Sequence, residues 1–228
     1  MTLLADDIMG WCVRALREVS CALDAEQQPK GLDSFDEKKL QQVLAEGIAG
    51  ASGLVVLREQ HFPTIRRTGA RFSQRERCDL VILPAGAREL AAPAPEGTAQ
   101  ERETALWSSP AERERGAAAG EAYWVEVKVV GQVEYRRGVP VPNVQYSTQL
   151  IDALCKDLQK MADDPLIEHG AVLDVVFCSE ASVAEHDMAV AIGRCMDRGL
   201  VPGSVRHEDF MLADRVGNRV CSVWLTTK

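Results

Sequence analysis

A mixed α/β fold built on one sheet is what the 228-residue sequence predicts, and three observations predict it. Short apolar runs of strand character alternate with amphipathic segments of helical period. Their order is helix, strand, strand, strand, helix, strand, with further helices and a terminal hairpin. Charged residues interrupt two of the strand-like runs: Asp79 in CDLVILP, and Glu126 and Lys128 in YWVEVKVV.

Residues 2–28 read as the first helix, with Leu4, Ile8, Trp11, Val13, Leu16, Val19 and Leu23 in a broad apolar stripe. QPKGLDSF breaks it. Asp33 or Ser34 is expected to cap a second helix starting near Asp36. The body of that helix, DEKKLQQVLAEGIAG, turns Leu40, Val43, Leu44 and Ile48 inward, and Gly50 and Gly53 suit its end. GLVVLREQ at 53–60 reads as a strand, and CDLVILP at 78–84 as another, stopped by Pro84. Residues 85–121 are rich in Ala, Pro, Gly, Glu and Arg and read as an insertion, part flexible, with helical character around AQERETAL. The strand at 123–130 follows, and GVPVPN is expected to be a turn.

NVQYSTQLIDALCKDLQKMADD is an amphipathic helix with Leu150, Ile151, Leu154, Leu158 and Met161 inward. AVLDVVFCS at 171–179 is a buried strand. SVAEHDMAVAIGRCMDRG is a helix ended by Gly199. The tail, about 203–227, reads as two strands around VGN. No internal repeat is visible. The expectation is a single domain over 1–228, with its core at about 36–179.

Composition bounds the function. The hydrophobic content of 46% is ordinary for a globular chain, and the longest apolar runs fall far short of a membrane span. The N-terminal MTLLADDIMGWCVRAL carries acids where a signal peptide needs bases, so a cytoplasmic protein is expected. Seven scattered cysteines without a CxxC pair imply reduced thiols. The net charge of −8 counts against nucleic acid as a partner, since phosphate contacts come from Lys and Arg. Its distribution counts the other way. IRRTGARFSQRER at 65–77 holds Arg66, Arg67, Arg71, Arg75 and Arg77 against the single acid Glu76, and Arg136 and Arg137 add to the basic set. The plain reading of such a run is a solvated loop.

Side chains alternate across a strand. Asp79 therefore shares a face with Val81 and Leu83, and Trp124, Glu126 and Lys128 share one face of the next strand. Burying an unpaired charge costs several kcal/mol, so three charges on adjoining strands need a common explanation. A Glu126–Lys128 ion pair on an exposed sheet face is the simple one, contributing about 0–1 kcal/mol.

Asp79 followed by Glu126-x-Lys128 on the next strand resembles the PD-(D/E)xK nuclease superfamily. The resemblance covers about two-thirds of the chain as element order and four residues as motif. It implies a restriction-endonuclease-like core of helix, three strands, helix, strand. Asp79 takes the Asp position, Glu126 and Lys128 the (D/E)xK positions, and Glu46 the acidic position some members carry on the preceding helix. Cys78 stands where the family motif has proline, and the insertion lengthens the gap between Asp79 and Glu126.

The chemistry expected from that resemblance is Mg²⁺- or Mn²⁺-dependent hydrolysis of DNA phosphodiesters, in restriction or defence. Mg²⁺ takes oxygen ligands, which assigns Asp79, Glu126 and Glu46 as metal ligands with the Val127 carbonyl as a further donor. Lys128 would sit beside the nucleophile or offset developing charge. Gln145, Gln149 and Lys156 fall on roughly one side of the 143–164 helix, and Gln149 is the candidate to face the site. The plain reading of that side is a wet helix face. Trp124 is expected to shield the site, and Arg66, Arg67, Arg71, Arg75 and Arg77 to meet the DNA backbone. Double-strand cutting from one site per chain favours a homodimer. The alternative is a catalytically inactive nuclease-fold module that binds a protein partner.

Other chemistries find no motif. His61, His169, His186 and His207 have no HExxH or HxH spacing, so no zinc site is expected. Ser147, Ser179 and Ser182 lack a GxSxG setting. Neither GxxxxGK[ST] nor GxGxxG occurs.

Overall fold

The computed structural model describes residues 4–64, 77–91 and 116–228. Among them are four α-helices and a mixed six-stranded sheet. Arg66, Arg67, Arg71 and Arg75 lie outside the described residues, as does the expected helical stretch AQERETAL.

The first helix, α1, is Ala5–Ala25, and α2 is Glu37–Ser52. The cap of α2 is Asp36, whose carboxylate accepts from the Lys39 N–H at 2.8 Å. Asp33 and Ser34 instead form part of a 3₁₀ turn, so the cap lies two to three residues later than expected. Gly53, with φ 70°, ends α2 in the left-handed conformation. The two helices touch at Gly47, where an added Cβ would lie 2.2 Å from the Ala15 Cβ. Gly47→Ala gains helix propensity but forces the pair apart, and a net loss of about 1–2 kcal/mol is expected in urea unfolding.

The central sheet has the order β1 (Val56–His61), β2 (Arg77–Ile82), β5 (Tyr123–Gly131), β8 (His169–Cys178), β10 (Val220–Thr227), β9 (Val205–Met211). Every neighbouring pair is antiparallel except β5 and β8, which run parallel. The connection between those two is α3 (Tyr146–Asp163), as a parallel crossover requires. The fourth helix, α4, is Ala181–Asp197, and Gly199 beyond it has φ 81°. The terminal hairpin predicted around VGN is present as β9 and β10.

The stretch expected as a turn is instead part of a hairpin. β6 (Val133–Arg136) pairs with β7 (Val139–Pro142), and the turn falls at Arg137 and Gly138, with φ 53° and 82°. Positive φ at both positions is the type I′ geometry that suits strand twist. Where the insertion leaves and returns, β3 (Glu89–Leu90) runs beside β4 (Gly116–Ala117), so its ends close on one another.

The sheet is covered on both sides. α1 and α2 pack on the face carrying Leu80, Ile82, Val125, Val127, Leu173 and Val175. α3 and α4 cover the other, where Val81, Trp124, Val172, Val176 and Trp224 lie. Two covered faces explain why β5 and β8 read as near-continuous apolar runs. All seven cysteines are free. Among the described residues, no helix is long and apolar enough to cross a membrane.

Candidate functional site

The charges in the strands fall on the face under α3. Antiparallel register places Asp79 opposite Glu126, yet pairing of β2 with β5 stops one residue short, at Leu80–Val125. There the Asp79 carboxylate replaces the backbone ladder, with Oδ2 accepting from the Val127 N–H at 2.7 Å. On the other side of β2, Glu59 stands opposite Asp79 with φ 54°, left-handed in mid-strand. A non-glycine residue in that region costs about 1–2 kcal/mol, so the backbone is distorted where β1 passes the site.

Lys128 is the hub. Its ammonium lies 3.8 Å from Asp79, 3.7 Å from Glu126, 3.2 Å from Asp157 and 3.9 Å from Glu37. Lys160 is a second cation, 2.6 Å from Asp157 and 3.1 Å from Glu126. Asp79, Glu126 and Lys128 are thus brought together. Glu126 is only 2% exposed. Burial pushes its carboxyl up to about 8, reinforced by Asp79 and Asp157 and opposed by Lys128 and Lys160. Burial alone would lower Lys128, but Asp157, Glu126, Asp79 and Glu37 outweigh it and hold its ammonium above the ordinary lysine range. An amine held protonated is a hydrogen-bond donor and not a base.

Glu46 does not join this cluster. It is exposed and accepts from Gln42 at 2.8 Å. Glu37 is the α2 acid that reaches Lys128. The two are nine residues apart, which on a helix is half a turn out of phase and about 13.5 Å along the axis. Gln149 is exposed on α3, held by Asn143 Nδ2 at 2.9 Å. It lines, with Phe35, Glu37, Lys128, Tyr135 and Lys156, a cleft of about 860 Å³ between the start of α2, the β6–β7 hairpin and α3. Arg77, the one described member of the arginine run, opens β2 two residues before Asp79. Trp124 is fully buried, stacks on Phe62 at 6.1 Å and donates to the Ala119 carbonyl at 2.9 Å, so it walls the site from below.

Asp157, Lys160, Glu37 and Asp174 belong to the site and are not singled out by the motif. Asp157 and Lys160 sit three apart within the apolar stripe of α3, beside Leu154, Leu158 and Met161. A carboxylate in an inward stripe is a readable signal. Asp174 lies inside VLDVV of β8, opposite Lys128 in register and 0% exposed. Neither of its oxygens has a hydrogen-bond partner among the described residues. Burial pushes it up to about 8, with Lys128 opposing and Asp157 adding.

Four carboxyl groups, Glu37, Asp79, Glu126 and Asp157, therefore surround two ammonium groups. Ionisation of these four, with the buried Asp174 protonated, leaves two negative charges uncompensated. Comparison with known proteins finds no matching family model, no matching curated protein and no matching solved structure.

Proposed function

We propose that the protein is a Mg²⁺- or Mn²⁺-dependent nuclease that hydrolyses DNA phosphodiester bonds, with a restriction-endonuclease-like core. The observation that carries this reading is the meeting of Asp79 with Glu126 and Lys128 where β2 and β5 part, with an excess of two negative charges. The order α2, β1, β2, β5, α3, β8 supports the same reading. The donor set fits a hard divalent cation: buried carboxylate oxygens, and a Glu126 whose carboxyl is driven toward neutrality by burial beside other acids. Asp79 and Glu126 would hold the ion, with the Val127 carbonyl available as a further oxygen. When bound, it neutralises phosphate charge and acidifies the attacking water.

The chain's own residues do the rest. A water oxygen attacks phosphorus, one P–O bond breaks, and the leaving oxygen takes up a proton. Lys128 keeps its proton and donates hydrogen bonds to the phosphate oxygen on which charge accumulates. Asp157 and Lys160 fix Lys128 and Glu126 in place. Asp79 also holds the Val127 N–H, which sets the spacing of the two strands. Gln149 and Lys156 line the cleft through which the strand would approach, and Arg77, at the start of β2, adds positive charge two residues from Asp79.

One observation favours a second reading, a non-catalytic module that binds a protein. The cleft is lined by Asp33, Asp36, Glu37, Glu134 and Asp152 against Lys128 and Lys156. Such a surface repels phosphate and suits a basic peptide. Incubation with supercoiled plasmid and single-stranded DNA, with Mg²⁺, Mn²⁺ or EDTA, separates the two. Metal-dependent cutting that falls at least about 100-fold in Asp79→Asn and Lys128→Gln is expected. Cutting that survives both substitutions removes the catalytic assignment, and a wild-type protein that cuts nothing leaves the second reading.

A further inference from the structure

We propose that Glu185, His207 and Asp209 form a separate site for a borderline divalent cation, Zn²⁺ in particular, at the far edge of the sheet. Glu185 comes from α4, and His207 and Asp209 project from one face of β9 at i, i+2. Among the described residues, these are the three metal-ligating side chains whose donor atoms all lie within 4.8 Å of one another. In the site under α3 the acids are instead gathered around the ammonium groups of Lys128 and Lys160.

The donor set selects the metal. Imidazole with two carboxylates suits Zn²⁺, whereas Mg²⁺ prefers oxygen alone. His207 Nε2 is 4.0 Å from Glu185 Oε1, too long for a hydrogen bond. Donors on one tetrahedral Zn²⁺ sit roughly 3.4 Å apart at bond lengths near 2.1 Å. With all three donor atoms already within 4.8 Å of one another, side-chain adjustments of about 1 Å would bring the set to that spacing.

The outer partners are already in place. The His207 ring is stacked on Trp224 at 4.3 Å and 13°, which fixes its plane. Trp224 Nε1 donates to Ser222 Oγ at 2.7 Å, and Ser222 in turn donates to the Asp209 carboxylate. Groups that orient ligands in this way set metal affinity as strongly as many ligands do. An ion here would clamp α4 to a strand that, among the described residues, pairs only with β10. The site is independent of the nuclease reading. Lys128, Asp174, Trp224 and His207 lie opposite one another in a row across β5, β8, β10 and β9, so three strand spacings, roughly 14 Å, separate the two clusters.

The test is titration of the full chain with Co²⁺ as a spectroscopic probe, and with Zn²⁺ in competition, in excess Mg²⁺. One ion per chain is expected, with ligand-field bands and no thiolate charge-transfer band. Glu185→Gln and Ser222→Ala should each weaken it at least about tenfold, while Asp79→Asn leaves it unchanged. Glu185 is exposed on α4, so its substitution leaves the core intact. The proposal is overturned by no binding, by a thiolate band, by Glu185→Gln and His207→Gln chains that bind like the wild type, or by loss of the ion in Asp79→Asn.

Discussion

Replacing Lys128 with methionine is expected to cost about 3–5 kcal/mol of unfolding free energy near neutral pH, because removing one partner of a buried ion network leaves the others uncompensated. Among the described residues, Lys128 is the one group within 4.0 Å of all four surrounding carboxylates, of which Asp79, Glu126 and Asp157 are buried. Methionine keeps the bulk of the stem, so the loss reports charge and not a cavity. The cost should shrink at pH 5, where Glu126, pushed up to about 8, is protonated and no longer needs the ammonium, and where the raised Glu37 acts in the same direction. On the nuclease reading, Mg²⁺ restores part of it. Urea unfolding of both chains at pH 5 and 7.5 is the check. A loss below about 1 kcal/mol at the higher pH, the range of an exposed ion pair, would show that the cluster is open to water and too weakly coupled to organise a site.

Raising the pH from 4 to 8 should destabilise the wild-type protein, by on the order of 5 kcal/mol from Asp174 alone. Asp174 and Glu126 are both pushed up to about 8 in the folded chain, against ordinary values near 4 when unfolded. A raised acid favours the fold while protonated. Its contribution is complete below the unfolded value and is lost as pH climbs through the folded one. Asp33 and Glu37 are also raised, chiefly by burial, so they act in the same direction. Lys128 and Lys160 are raised as well, but their contribution is lost only above the ordinary lysine range. Asp174→Asn removes the largest single part, since Asp174 is fully buried with neither oxygen partnered among the described residues. The variant should match the wild type at pH 5 and exceed it at pH 8. Parallel pH profiles for the two chains would mean that Asp174 stays ionised through an interaction with Lys128 strong enough to offset its burial.

Both expectations depend on groups that differ in how far the sequence exposes them. Asp79, Glu126 and Lys128 are legible because a strand has period two and a charge inside an apolar run breaks it. Asp157 and Lys160 carry an equivalent signal on α3, a polar pair within an apolar stripe, but helix period is looser and a stripe edge tolerates polar residues. Glu37 and Glu46 are both acids on α2. Choosing between them needs the direction from which α2 crosses the sheet, and nothing local encodes that. The Zn²⁺ candidate is less legible still, because Glu185 is twenty-two residues from His207 and the pair meets only when α4 lies over the edge strand.

The hairpin at 133–142 shows the same limit at short range. Two prolines in VPVP argue for a turn, yet they sit in β7, which among the described residues pairs only with β6, so a missing N–H is tolerated there. The turn itself falls one step earlier, where Arg137 accepts positive φ beside Gly138.

The sequence by itself determined the order of the main helices and strands and the common face of Glu126 and Lys128 within one strand, because hydrophobic period and strand alternation are local properties of the chain. Only the tertiary structure decided which helix acid completes the cluster, that a second lysine and two further aspartates enter it, and that Lys128, Asp174, Trp224 and His207 line up across four strands. Those facts rest on register and crossing direction between segments distant in the chain, which are fixed by packing the whole core at once.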